Sequence, residues 1–81
     1  MNLVEAHAHV AAALGGIAPD VDPDAIDADL HDDLGLDSMD LLNLAVAVSE
    51  STGVEIPESE YAGLRTISAL QDYIAARAAD R

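Results

Sequence analysis

Cysteine is absent from this chain, and so are lysine, phenylalanine and tryptophan. Without cysteine there is no disulfide, no thiolate metal site and no cysteine nucleophile. Only two aromatic residues occur, Tyr61 and Tyr73, which argues against a stacking platform for bases or sugars. No apolar run approaches the ~20 residues that span a bilayer, and no charged-then-apolar leader opens the chain. The expected setting is therefore cytoplasmic, with no membrane insertion. Positive charge is the scarcest feature. Three arginines stand against sixteen acids, for a formal net charge of −13 over 81 residues. Nucleic acid and anionic membranes are repelled by such a chain, and basic protein surfaces are attracted. The length suits one domain, residues 1–81, with one small core.

Apolar periodicity places four helical pieces. The first runs from Asn2 to about Leu14, with Leu3, Ala6, Val10 and Leu14 on one face and Gly15-Gly16 as the expected stop. His7 lies close to that face, and His9 is expected in solvent. A connection rich in Pro and Asp follows from Gly16 to Asp37. Its apolar anchors are Val21, Ile26, Leu30, Leu34 and Leu36, and seven acids crowd between Asp20 and Asp33. The second helix spans about Ser38 to Ser51, ended by Thr52-Gly53. Pro57 precedes a short helix at about Glu58 to Gly63, and Thr66 caps a last helix carrying Ile67, Leu70 and Ile74. No segment alternates with period two for long enough to suggest a sheet. The predicted fold is an all-α four-helix bundle, three longer helices plus one short one, with a long first loop.

The second helix has two apolar stripes. Leu41, Leu44 and Val48 share one side, with Ala45 and Thr52 at its edge; Met39, Leu42 and Val46 share the other. On projection alone the second stripe is either covered by the long loop or exposed to a partner, and burial on both sides is the safer reading. Asp37 is a good N-cap for this helix, and Asp40 stands three residues later where a capping-box side chain belongs. Ser38 thus falls in the first turn, after a turn that Gly35 can make tightly. A phosphate placed there would meet the positive end of the helix dipole.

Two metal patterns fail on spacing. Asp20, Asp22, Asp24 and Asp27 suggest a calcium loop, but Ala25 and His31 occupy the positions that need Gly and Glu. His7 and His9, two apart, lie on different helix faces. No metal site is expected.

The run Leu34-Gly35-Leu36-Asp37-Ser38-Met39-Asp40 resembles the phosphopantetheine attachment site of acyl carrier proteins. The likeness extends from Leu30-His31-Asp32-Asp33 through the apolar second helix, Glu55-Ile56-Pro57 and Thr66-Ile67, more than half of the chain at the family's spacings. It implies 4′-phosphopantetheine, derived from coenzyme A, on Ser38, holding acyl or aminoacyl groups as thioesters for a fatty-acid, polyketide or specialised pathway. It also implies a recognition surface of Asp37, Met39, Asp40, Leu42, Val46 and Glu50, with Leu41, Leu44 and Val48 as core. The implied partners are a phosphopantetheinyl transferase, an acyl- or aminoacyl-loading ligase or transferase, and downstream synthase enzymes with basic docking surfaces. The carrier itself would be a monomer.

Some positions depart from the family's usual pattern. Asn43 and Ser49 stand where glutamates are common, Thr52 replaces a large apolar residue, and Met39 replaces the usual Leu. These favour a dedicated carrier over one for housekeeping fatty-acid synthesis. The alternative is an unmodified acidic helical adaptor for basic partners. An enzyme is not expected, because no Ser-His-Asp layout is suggested and the histidines lie far from Ser38 in sequence.

Self-repulsion among so many carboxylates should make stability depend on ionic strength. Added salt or millimolar divalent cation should raise the melting temperature at neutral pH. Thermal melts indifferent to both would show the acidic loop to be already paired or too solvated to matter.

Overall fold

The computed structural model describes residues 1–79. Among them, three α-helices and one 3₁₀ helix account for the regular structure, joined by a long first loop. The all-α bundle expected from periodicity is the observed architecture. Helix α1 (Leu3–Ile17) packs on both α2 (Ser38–Thr52) and α3 (Ile67–Ala79), and the 3₁₀ helix (Glu58–Gly63) lies between the last two in sequence.

Each α-helix begins where a side chain can satisfy an orphan backbone N–H. Asn2 Oδ1 accepts from the Glu5 N–H at 2.8 Å to start α1. Thr66 Oγ1 accepts from the Ala69 N–H at 3.0 Å to start α3. At α2 the arrangement is reciprocal. Asp37 Oδ1 accepts from the Asp40 N–H at 2.8 Å, and Asp40 Oδ2 accepts from the Asp37 N–H at 3.2 Å. Gly53, at φ 74°, ends α2 in the left-handed conformation that glycine adopts without strain.

Two expectations about local structure are corrected. Gly15-Gly16 does not stop the first helix, which continues to Ile17. Neither glycine takes a positive φ, and Ile17 packs against the core. The actual stop is Pro19, whose ring disfavours helical backbone at the residue before it, so Ala18 leaves the helix at φ −141°. The short helix expected at Glu58 to Gly63 is present, as a 3₁₀ helix. His9 is half-buried rather than fully solvated, because Ser51 at the end of α2 lies 2.9 Å from its Nδ1.

The core is one apolar cluster. Ala6, Val10 and Leu14 come from α1, Leu44, Ala45 and Val48 from α2, and Ile67, Leu70 and Ile74 from α3. Val54 and Ile56 alternate inward along the extended segment before Pro57. Leu30 and Leu36 of the long loop are as buried as any helical residue. The loop is thus part of the core, as its apolar anchors suggested.

Backbone bonds fasten that loop to the start of α3. The Ser68 N–H, in the first turn of α3 where helices lack internal acceptors, donates to the Ile26 carbonyl at 2.9 Å. The Leu30 N–H donates to the Arg65 carbonyl at 2.7 Å, and Asp29 and Thr66 form an isolated antiparallel bridge. Side chains reinforce the seam. Arg65 Nε donates to Asp29 Oδ2 at 2.7 Å, and its Nη2 to Asp32 Oδ2 at 3.2 Å. The other oxygen of Asp29 accepts from the N–H groups of His31 and Asp32. The Arg65 bond, aided by these amides, lowers the Asp29 pKa from 3.8 to about 2.

The two stripes of α2 have different fates. Leu44 and Val48 are buried and Leu41 is half-buried, whereas Met39 is 62% exposed, Leu42 38% and Val46 45%. Burial on both sides, the safer reading from projection alone, does not occur. Leu44→Ala should therefore destabilise the bundle by about 2–5 kcal/mol. Leu42→Ala should cost much less in the same denaturation series, and equal losses would mean that both stripes are core.

The Asp29–Arg65 pair gives acid stability a defined signature. A carboxylate whose folded pKa is depressed stabilises the fold above its unfolded pKa. That stability is lost as pH falls through the folded value. Wild type should thus be more stable than Arg65→Gln at neutral pH, and the gap should close between about pH 4 and pH 2. A gap unchanged across that range in pH-dependent melts would show that Arg65 acts through packing instead.

Candidate functional site

Ser38 is the first residue of α2, set by the capping pair Asp37 and Asp40. Just upstream, Gly35 sits at φ 75°, a positive value that suits glycine, and turns the chain so that Leu36 enters the core. Leu36 anchors the approach while Asp37 and Ser38 remain exposed. The Ser38 and Met39 N–H groups have no hydrogen-bond partner among the described residues. They are orphan donors at the positive end of a helix dipole, the feature that makes helix starts favourable for anions.

Beside Ser38 opens a groove of about 560 Å³. The start of α2 forms one side, through Ser38, Met39, Leu41 and Leu42, with Leu44 and Ala45 deeper. Asp29, Leu30 and His31 of the long loop form a second side. Tyr61, Ala62, Leu64 and Arg65 close it from the 3₁₀ helix and the segment after it, and Leu70 of α3 reaches it from below. Polar groups stand only around an apolar interior. Ser38 thus borders an open groove whose lining is mostly apolar, cover suited to an aliphatic chain.

The residues singled out from the sequence are distributed around this point. Met39 and Leu42 line the groove and are also exposed; Val46 is exposed but lies outside the lining. Asp37 and Asp40 spend one carboxylate oxygen each on the capping box. Glu50 is exposed in the last turns of α2, away from the groove. Sequence reasoning missed the far walls, chiefly His31, Tyr61, Leu64 and Arg65. His31, seven positions before Ser38, lines the same groove. The signal available for Arg65 was scarcity, one of three arginines in a chain whose first loop carries seven acids.

An exposed hydroxyl, two orphan amides and an apolar groove fit a prosthetic group joined through a phosphate and bearing an organic chain. Comparison with known proteins points the same way. Residues 8–74 match the family model described as the phosphopantetheine attachment site. An acyl carrier protein of Campylobacter hominis is 45% identical over 56 residues, covering 67% of this chain and 71% of that protein. One of Syntrophobacter fumaroxidans is 41% identical over 49 residues, 60% of each chain. The mitochondrial acyl carrier protein of Saccharomyces cerevisiae is 45% identical over 49 residues, 60% of this chain. The matched stretch is 39% of that yeast protein, so the chain spans only part of the length of some relatives. Among the described residues no helix is long and apolar enough to cross a membrane. With a match over most of its length and this site at the start of α2, the chain belongs to the acyl carrier protein family, whose members are carriers rather than enzymes and bear covalently attached 4′-phosphopantetheine.

Proposed function

We propose that Ser38 is the attachment residue and that residues 1–81 act as one monomeric carrier unit for acyl or aminoacyl cargo. The observation that carries this reading is the Ser38 hydroxyl at the mouth of the apolar groove, beside two unpaired backbone N–H groups. Ser49, Ser51, Ser59 and Ser68 do not line that groove.

In this reading a phosphopantetheinyl transferase supplies metal and base, so no catalytic group is needed here. Ser38 Oγ bonds to phosphorus, its proton passes to the transferase, and the adenosine bisphosphate half of coenzyme A leaves. The attached arm supplies a terminal thiol that holds cargo as a thioester. What this chain contributes is position. The amides of Ser38 and Met39 face the new negative charge, Leu36 fixes the turn that presents the serine, and the groove offers apolar cover to cargo.

Met39, Leu42 and Val46, with the carboxylates of Asp37, Asp40 and Glu50, form the proposed recognition face. Exposed apolar residues beside an attachment point suit brief contact with several enzymes, and surrounding acids suit basic docking surfaces. The family implies a phosphopantetheinyl transferase and acyl-processing enzymes as partners. We assign the finer partners as a loading ligase or transferase and downstream synthases, meeting the carrier in the cytoplasm. Asn43, Ser49 and Thr52 give α2 fewer charges and less apolar bulk than fatty-acid carriers have, which favours a dedicated polyketide, lipid or aminoacyl pathway.

Incubation with coenzyme A and a broad-specificity transferase should add one phosphopantetheine to wild type by intact mass. Ser38→Ala should fold normally and gain nothing. A gain that survives the substitution would overturn the assignment, and no gain in wild type would favour the unmodified adaptor.

A further inference from the structure

The groove wall beside Ser38 holds a group that the carrier reading leaves unused. His31 Nδ1 lies 2.7 Å from the Leu36 carbonyl oxygen. A carbonyl only accepts, so Nδ1 carries the hydrogen in either charge state of the ring. The His31 backbone N–H is itself held by Asp29 Oδ1 at 2.9 Å. Main chain and ring are thus both tethered, the ring to a buried residue two positions before Ser38. Nε2 is left without a partner among the described residues. His7 differs, since Gln71 and Asp24 each lie 3.1 Å from its ring nitrogens. His9 meets Ser51, at the other end of α2 from Ser38 and about 20 Å away by helix rise.

We propose that His31 positions the prosthetic arm, its protonated Nε2 donating to an oxygen of the phosphodiester on Ser38. This rests on the reading of Ser38 given above. A phosphodiester is anionic and accepts only, so it needs donors. The amides of Ser38 and Met39 offer two from the helix side, and the imidazolium offers one from the loop side. Its surroundings otherwise work against an anion. Asp37 and Asp40 stand at the helix start, Asp29, Asp32 and Asp33 on the loop, and Glu58 across the groove. Arg65, the one arginine in the groove lining, is already held by Asp29 and Asp32. Tyr61 offers only a neutral hydroxyl, so beside Arg65 His31 is the group of this lining that can bring positive charge to the phosphate. It is a positioning residue, and no bond to it forms or breaks.

Ordinary carboxylates and a phosphodiester finish titrating well below the range where imidazole changes charge. An imidazole side chain ordinarily changes charge between pH 5 and 8, so a phosphorus signal that moves in that range reports contact with one. Holo protein is prepared with coenzyme A and transferase, and intact mass establishes loading. Failure to load would count against Ser38 before His31 is reached. In loaded wild type, the phosphorus NMR line should move with pH along one titration curve, coincident with the His31 ring resonance. His31→Asn keeps a side-chain N–H near the Nδ1 position but removes Nε2, and its phosphorus line should be flat. His7→Asn and His9→Asn should leave the curve in place. The His31 ring should also titrate at higher pH in holo than in apo wild type, a comparison that needs no variant. A flat phosphorus line in wild type, a curve that persists in His31→Asn, or equal apo and holo titrations would overturn the proposal.

Discussion

The carboxylate of Asp29 is the point on which the long loop turns. One of its oxygens accepts from the His31 and Asp32 N–H groups, and the other from Arg65 Nε. Its own N–H donates to Asp33 Oδ2 at 2.8 Å, and its backbone bridges to Thr66. A segment with seven acids in fourteen positions would otherwise spread to separate its charges. Here Asp29 and Asp32 share one guanidinium, and backbone N–H groups donate to the carboxylates of Asp22, Asp29 and Asp33. Leu30, the next residue, enters the core, and Leu36 follows after one tight turn. The wall of the groove and the approach to Ser38 are both consequences of that geometry.

Helix α2 serves three purposes at once, and its sequence separates them by position. Its first turn is specified by hydrogen bonding, with Asp37 and Asp40 completing each other's caps. Its inner face is specified by volume, since Leu44 and Val48 fill space in the shared core where α2 packs on α1. Its outer face is specified by neither. Met39, Leu42 and Val46 remain in water although ordinary surface choice would favour polar residues there. The apolar outer stripe is not required by the fold, and contact with a partner is the role proposed for it. Met39 and Leu42 adjoin Ser38 and the groove, which joins that surface to the proposed attachment residue.

Most of the helical layout was legible because it is local. Caps, period and stop signals act within a few residues, and Asn2, Asp37, Thr66 and Gly53 sit where their chemistry predicts. The failure at Gly15-Gly16 is instructive on the same scale. Glycine permits an ending without requiring one, whereas Pro19 constrains the residue before it. The groove was not legible because its walls come from residues some thirty-five positions apart. Nothing near Asp29 announces Arg65, and nothing near His31 announces the Leu36 carbonyl as its anchor. The fate of the second stripe of α2 was undecidable from periodicity, which locates faces but not what covers them. Resemblance supplied that answer, and the exposures of Met39, Leu42 and Val46 agree with it.

Charge ties stability to the proposed role in opposite directions. With Arg65 held by the loop, the surface that a partner meets is dominated by acids, and their field extends over about a Debye length, roughly 8 Å at physiological ionic strength. That field accelerates encounter with basic surfaces but also strains the fold that bears it. Salt relieves the strain and weakens the steering together. The apolar stripe is much less sensitive, because contact between Met39, Leu42 or Val46 and a partner depends on displaced water rather than on counterions. A carrier that must reach several enzymes and leave each one gains from this division. In the proposed role, long-range attraction would bring partners toward α2 and short-range apolar contact would hold them briefly.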